Sequence, residues 1–359
     1  MIDRDDLSRM DEALALASRG WGQVSPNPLV GAVIYRDGEK ISEGFHARFG
    51  EAHAEAAALA SAGGRARGAT LYVTLEPCAH HGKTPPCTDS IIASGIRRVV
   101  AAVSDPNPVA AGGFEKLRAA GISVDVGARE AEARELNAGF FHASGSDRPW
   151  VTLKLALSLD GAITGAGRES GWLSGEESRA RVQRMRAGSD AVAVGVQTAI
   201  ADDPQLTART DPAPRVPPLR VIFDRNARLS AQGFLARTAR EIPALIVTAP
   251  STRMPADLAS LGVEQLTAED LDDALRQLKS RGVMTLMVEG GAGLAASFLA
   301  ADAVDRLVIF RAPIILGSGA LGAFSAIASQ EVSRAPRFTL LATAALGDDV
   351  MSTYAVRAP

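Results

Sequence analysis

Both cysteines of this 359-residue chain, and two of its five histidines, lie in the stretch LEPCAHHGKTPPC that runs from Leu75 to Cys87. No other segment gathers soft ligands this way, so the fold has to present this loop to partners from elsewhere. The N-terminus MIDRDDLSRMDEALALASRG is acidic and helix-patterned and lacks a signal-peptide apolar region, and no uninterrupted apolar run reaches the length of a bilayer span. A cytoplasmic protein is expected. In a reducing cytosol a disulfide between Cys78 and Cys87 does not persist, so the pair reads as metal ligands or redox groups, with metal the leading reading.

With 47% hydrophobic and 22% charged residues the chain can bury a sizeable core, and its length points to two domains. A formal charge of −3 without a dense Lys/Arg run leaves no electrostatic footprint for nucleic acid. Small-molecule substrates are expected, with no nucleic-acid or membrane partner. Up to residue 145 helical and strand signals alternate: a helix over Asp3 to Arg19, a hairpin of VGAVIY and KISEGF about Asp37-Gly38, and the alanine-rich helix AHAEAAALASAGG. ATLYVTL, a helix from about Thr88, RRVVAAV, a helix around Phe114 to Ala120, ISVDVGA and a last helix through Glu135 complete a mixed α/β unit. The polar stretch ASGSDRP sets the domain boundary near Ser146, giving domains 1–145 and 146–359. Beyond it WVTLKLALSLDGAIT, DAVAVGV, LRVIFD, ALIVTA, MTLMVEGG and RLVIF, separated by helical segments, predict a mostly parallel sheet. DPAPRVPPL reads as a surface connection.

Zinc binds thiolate and imidazole, and its catalytic sites keep three protein ligands with a fourth position open. His53, Cys78 and Cys87 supply such a set. Cys87 stands just before a helix whose positive end would favour its thiolate. Glu55, two residues after His53 in H-A-E, suits the general acid/base role of zinc nucleobase deaminases, whose signature is H-x-E followed by P-C-x-x-C. Pro77 and Cys78 match, but eight residues separate the cysteines here. The insert AHHGKTPP can carry substrate contacts. A closed structural zinc site with His80 or His81 as fourth ligand is the alternative, and Glu55 argues against it because such a site has no use for an acid there. In the second half VEGGAGLAASFL combines strand, glycine turn and helix start, an arrangement that offers N–H groups to a phosphate. The chain has no G-x-G-x-x-G in a βαβ unit, which disfavours a Rossmann domain.

Taken together, S-P-N-P-L-V-G at 25–31, G-x-H at 44–46, H-A-E at 53–55 and E-P-C-x-H-x-G-K-T-P-P-C at 76–87 resemble the bifunctional deaminase/reductase family of riboflavin biosynthesis. The likeness continues with T-L-K-L-A-L-S-L-D-G at 152–161, D-A-V-x-V-G at 190–195, D-D-P-Q-L-T-x-R at 202–209 and V-E-G-G at 288–291, and so covers nearly the whole chain. It implies an α/β protein with a cytidine-deaminase-like N-terminal domain and a dihydrofolate-reductase-like C-terminal domain. It further implies hydrolytic deamination of 2,5-diamino-6-ribosylamino-4(3H)-pyrimidinone 5′-phosphate, followed by NADPH-dependent reduction of the ribosyl group to ribityl. Zn²⁺ is then expected on His53, Cys78 and Cys87, with Glu55 as proton shuttle and Asn27, His46, His80 and Lys83 around the substrate. In the reductase half the resemblance places substrate on Ser170, Arg186, Leu206, Arg209 and Glu289. It places NADPH on Ala156, Trp172, Thr198, Asp202 and the run Gly290, Gly291, Ala292, Gly293, Leu294, Ala295, Ala296 and Ser297. Arg186 and Arg209 suit phosphate, which a guanidinium grips bidentately. Lys154 and Asp202 are the candidate proton sources for the reduction, and Arg225 or Arg228 for the cofactor's 2′-phosphate, a choice the sequence leaves open. A homo-oligomer is compatible with all of this. Rival readings are a deaminase of another nucleobase, including one on transfer RNA, for which a basic domain is expected, a zinc-stapled nucleotide-binding module, and a chain with one active half.

Overall fold

The structure, a computed structural model, describes residues 2–80, 85–167, 171–328, 331–333 and 335–356. Lys83 and Ser170 lie outside them. The chain divides into two compact units, Met1–Gly145 and Ser146–Pro359.

The first unit opens with helix α1 (Arg4–Ala17), started by a capping box in which Asp3 and Asp6 each accept the other's backbone N–H. Strands β1 (Gly31–Arg36) and β2 (Glu39–Phe45) pair as the expected hairpin, its turn residues Asp37 and Gly38 both at positive φ. Then follow α2 (Ala54–Ala62), β3 (Thr70–Val73), α3 (Cys87–Ser94), β4 (Arg98–Ala101), α4 (Gly113–Ala119), β5 (Ser123–Val126), α5 (Glu130–Leu136) and α6 (Ala138–Ala143). The sheet order is β2-β1-β3-β4-β5, antiparallel at β2/β1 and β1/β3 and parallel beyond. Alternate strand residues serve opposite layers: Ile34, Leu71, Val73 and Val99 pack with α2, α3 and α4, whereas Val33, Tyr72 and Val100 pack with α1, α5 and α6. Close approach of helix to strand explains why α2 is built of alanine. A Cβ on Gly44 would stand 2.5 Å from both the Ala54 carbonyl oxygen and the Ala58 nitrogen, so only glycine lets β2 seat the helix that begins at the metal-ligand candidate His53.

The second unit contains β6 (Trp150–Leu157), β7 (Ala162–Thr164), α7 (Glu176–Ala187), β8 (Ala191–Gly195), α8 (Val196–Asp202), β9 (Leu219–Phe223), α9 (Phe234–Arg237), β10 (Ala244–Thr248), α10 (Ala256–Ser260) and β11 (Glu264–Thr267). It ends with α11 (Leu271–Ser280), β12 (Thr285–Glu289), α12 (Ala292–Ala300), β13 (Arg306–Arg311), β14 (Leu321–Gly322), β15 (Phe338–Leu346) and β16 (Asp349–Val356). Nine strands form one sheet in the order β11-β10-β9-β8-β12-β6-β13-β16-β15. It is parallel from β11 to β13 and antiparallel where β16 joins β13 and β15. The apolar runs of β8, β9, β10 and β12 are buried on both faces, as a parallel sheet covered by helices requires, whereas β6 buries one face fully and the face bearing Lys154 only in part. The sequence reading missed β11 and the β15/β16 hairpin. β15 is exposed along most of its length, Leu340 and Leu341 included, so it lacks the alternation that marks a half-buried strand.

We propose that these units fold independently. Fragments 1–145 and 146–359, produced separately, are each expected to unfold cooperatively in denaturant with a single midpoint; gradual loss of structure in both would contradict it.

Candidate active sites

In the first unit the two halves of the metal motif meet at two helix N-termini. His53 is the N-cap of α2 and Cys87 the first residue of α3, while Cys78 comes from the loop after β3. His53 Nδ1 lies 3.6 Å from Cys78 Sγ and 3.3 Å from Cys87 Sγ. Ligands about 2.0–2.3 Å from one tetrahedral zinc ion stand about 3.6 Å apart, so the imidazole and two sulfurs fit that ion. Among the described residues the cluster holds these three groups and no fourth ligand, and His80 is not part of it. The helix α3 terminus acts differently from the sequence expectation. The Cys87 backbone N–H donates to Cys78 Sγ at 3.4 Å, so the positive end favours the Cys78 thiolate. In the metal-free chain the hydrogen bond from Cys87, with that from His53, brings the Cys78 thiol down to about 4, and the resulting anion beside it pushes Cys87 up. Glu55, in the first turn of α2, is buried, and desolvation raises its carboxyl to about 7.

These groups border a cavity of about 320 Å³ whose wall includes Asn27, His46, His53, Glu55, Cys78, His80, Phe49, Asp105 and Asn107. His46 Nδ1 is 3.1 Å from the Ala52 carbonyl and therefore carries the hydrogen, leaving Nε2 to accept from Asn27 Nδ2 at 3.1 Å. Burial lowers the His46 pKa and keeps this ring neutral. The chain thus fixes the Asn27 amide by its nitrogen. His80 Nδ1 is buried without a hydrogen-bond partner, as a group awaiting a ligand would be. Sequence reasoning missed Phe49, Asp105 and Asn107. The last two had a signal, because D-P-N-P at 105–108 repeats the proline-held asparagine of S-P-N-P at 25–28. Their loop is held by Glu76, whose carboxylate accepts the N–H groups of Asp105, Gly112 and Phe114 at 3.2, 3.0 and 3.1 Å.

In the second unit β8, β12 and β6 run parallel side by side, and their carboxyl ends form an edge of the kind at which open α/β sheets bind ligands. Glu289 ends β12 in register with Lys154 of β6. Its carboxylate receives Arg186 Nε at 2.5 Å and Nη2 at 2.9 Å, and Lys154 Nζ stands 3.9 Å away. Burial alone would raise the Glu289 carboxyl, but Arg186 overrides it and holds it low. Desolvation lowers the Lys154 pKa, only partly opposed by Glu289. Arg186 also donates to the Thr207 carbonyl at 3.0 Å, so its fork is occupied by protein where the sequence suggested a phosphate clamp. Gly290 and Gly291 lead into α12, whose first turn carries Ala292, Gly293, Leu294 and Ala295. A Cβ on Gly291 would lie 3.2 Å from Thr198 Oγ1, which puts Thr198 beside the turn. Ala156 lies on β6, two residues beyond Lys154 on the same face. Asp202 ends α8 exposed, Arg209 is exposed with Nη1 on Gln205, and Trp172 is exposed under the Arg179 guanidinium. Leu206 has positive φ and a side chain sunk into the core, so only its backbone can meet a ligand.

Residues 149–352 match the family model of the RibD C-terminal domain, and residues 3–103 match that of the cytidine and deoxycytidylate deaminase zinc-binding region. The riboflavin biosynthesis protein RibD of Aquifex aeolicus is 45% identical over 322 residues, covering 89% of this chain and 90% of its own. The structure of Acinetobacter baumannii RibD is similar with a TM-score of 0.87 at 38% identity and 99% coverage of both chains. So is that of a Thermotoga maritima diaminohydroxyphosphoribosylaminopyrimidine deaminase/5-amino-6-(5-phosphoribosylamino)uracil reductase, with a TM-score of 0.87, 38% identity, and 98% and 99% coverage.

Removing either thiol leaves two ligands, so Cys78→Ser and Cys87→Ser are expected to drop the zinc content from about one per chain to near zero by metal analysis. Full retention in both would contradict the ligand set. A second expectation concerns pH in metal-free protein. Because the folded-state pKa of Glu55 is raised from 4.5 to about 7, its contribution to stability is lost as pH rises through that window. Glu55→Gln is therefore expected to stabilise metal-free protein by about 3 kcal/mol at pH 8 and to make no difference at pH 4, read by denaturant titration.

Proposed function

The chain belongs to the RibD family of bifunctional riboflavin-biosynthesis enzymes, and from that premise we propose how its own residues divide the work. It is a zinc-dependent deaminase and an NADPH-dependent reductase. Its substrates are small pyrimidine ribosyl phosphates: the diaminopyrimidine is hydrolysed to the uracil with release of ammonia, and the ribosylamino group is then reduced to ribitylamino. No helix among the described residues is long and apolar enough to cross a membrane.

The observation that carries the deaminase assignment is a three-ligand cluster that opens on a cavity, with the buried carboxyl of Glu55 two residues from the ligand His53. Zinc, held by His53, Cys78 and Cys87, supplies Lewis acidity that makes water a nucleophile near neutral pH. Glu55 takes one proton from the attacking water and delivers it to the ring nitrogen, then carries the second, from the new hydroxyl group, to the leaving amine, a double duty that its buried position beside the three ligands allows. Asn27, its nitrogen committed to His46, presents its carbonyl oxygen to N–H groups on the pyrimidine edge. His80 Nδ1 and Asp105 extend the polar wall, and Lys83 is assigned to the phosphate.

In the reductase NADPH supplies hydride to the ribosyl carbon after its ring opens. The turn Gly290–Gly291 and the first N–H groups of α12 offer a seat for the cofactor's pyrophosphate, since they carry partial positive charge and leave no side chain in the way. Lys154, largely shielded from water next to Glu289, handles the proton at the opened ring, and its lowered pKa eases transfer from the ammonium. Arg186 positions Glu289 toward the sugar hydroxyls. Asp202 is the weaker proton source, because its side chain is exposed to water. Arg209 takes the substrate phosphate.

Glu55→Gln is expected to keep zinc yet release ammonia at least 1,000-fold more slowly, while reduction of pre-deaminated substrate continues. Deamination at near the native rate would remove Glu55 from its role. Arg209→Ala is expected to raise KM for the ribosylamino-uracil phosphate about tenfold or more and leave that for NADPH alone, whereas Lys154→Met lowers kcat. Steady-state kinetics separate the two, and the reverse pattern would exchange the roles.

A further inference from the structure

We infer that Arg225, and not Arg228, receives the 2′-phosphate of NADPH and so sets the reductase's choice of NADPH over NADH. The inference rests on the reading of the second unit as an NADPH-dependent reductase and adds the residue that selects its cofactor.

The strand order places the group. β9, β8 and β12 are consecutive and parallel, so the loops that follow them leave the sheet at one edge. The pyrophosphate seat follows β12, Thr198 follows β8 and touches it, and Arg225 stands two residues past the end of β9. Two strand spacings, about 10 Å, separate β12 from β9, a span suited to the adenosine half of a dinucleotide lying along the edge.

The two arginines differ in what they are already holding. Arg228 Nε lies 4.0 Å from Asp224 Oδ1, a carboxylate oxygen with no hydrogen-bond partner on a side chain with no exposed surface. The Gln197 amide, turned with its oxygen toward the guanidinium, accepts from Arg228 Nη1 at 2.8 Å and Nη2 at 3.1 Å. Drawing Arg228 away to a phosphate would break both contacts to Gln197 and take the cation away from a buried carboxylate. Arg225 carries no such duty. Its side chain is exposed, a single hydrogen bond runs from Nη1 to the Glu269 carbonyl at 3.1 Å, and among the described residues it has no carboxylate partner. Its backbone is fixed all the same, because its carbonyl accepts from Ala249 N at 3.0 Å and Thr252 Oγ1 at 2.7 Å. A free Nε and Nη2 on an anchored backbone make a fork of the spacing that phosphate oxygens accept.

Asp224 completes the case for NADPH. In Rossmann domains, which this unit is not, an acidic residue selects NADH when its carboxylate meets the ribose 2′-hydroxyl, and a carboxylate so placed in any fold would repel a 2′-phosphate. Here the Asp224 carboxylate is turned inward, where Oδ2 accepts the Leu229 N–H at 2.8 Å, so it neither binds that hydroxyl nor repels a phosphate in its place.

The test is calorimetric binding of adenosine 2′,5′-bisphosphate and adenosine 5′-monophosphate to the full zinc-loaded chain, with KM for NADPH and NADH measured in parallel. The native protein is expected to prefer the bisphosphate. Arg225→Ala should lose about 10- to 100-fold of that preference with monophosphate affinity unchanged, Arg225→Lys should keep part of it, and Arg228→Ala should keep all of it. An undiminished preference in Arg225→Ala, or equal loss of both compounds, would overturn the assignment and leave the reductase reading standing. Failure of the native protein to bind NADPH at all would overturn that reading, and this inference with it.

Discussion

A carboxylate can be buried only if it gives up its charge or is given a partner, and the two active sites are built on the two answers. Among the described residues Glu55 forms no ion pair with a lysine or arginine, and the attraction of His53 does not offset its burial. In the metal-free chain burial lifts it to about 7. Glu289 is enclosed to a lesser degree and stands beside Arg186 and Lys154, and the guanidinium keeps it charged. One residue type thus serves as a proton carrier in the first unit and as a fixed negative anchor in the second.

The first arrangement depends on backbone that comes very close to backbone. Gly44 lets α2 lie on β2, which brings Glu55 under the loop that holds Cys78. In the same unit a Cβ on Gly113 would stand 1.8 Å from the Pro77 carbonyl oxygen, so the loop bearing Asp105 and Asn107 can close over the metal loop only with glycine there. The second depends on register: Glu289 and Lys154 are neighbours because β12 and β6 are parallel partners, and no loop has to be shaped to bring them together. This is the advantage of mounting charged groups on strands of one sheet.

What could be read from the sequence follows the range of each interaction. The hairpin, the alanine-rich helix, the buried parallel strands and the H-x-E and cysteine motifs are local patterns, and the structure contains the corresponding elements. The pairing of Arg186 with Glu289 spans 103 positions and leaves no mark in spacing, so the sequence could offer Arg186 only as a free phosphate ligand. The choice between Cys78 and Cys87 as the more acidic thiol hinged on which sulfur one backbone N–H points at, a matter of angles within a single turn. Asp105 and Asn107 belong to another class, since their proline-flanked motif was visible but lacked a reason to be placed near zinc until β3 and β4 were seen to be parallel neighbours. The exposed β15 escaped notice because strand signals report burial, and it has little.

The central claim is that one chain carries out two reactions in sequence, hydrolysis first and reduction second. Its most direct test supplies unmodified protein with 2,5-diamino-6-ribosylamino-4(3H)-pyrimidinone 5′-phosphate, with and without NADPH, and follows ammonia and NADPH separately. Ammonia should appear at the same initial rate in both reactions, and NADPH should be consumed only after a lag, one equivalent for each ammonia released. Oxidation of NADPH without prior ammonia release, or ammonia release that requires NADPH, would contradict the account.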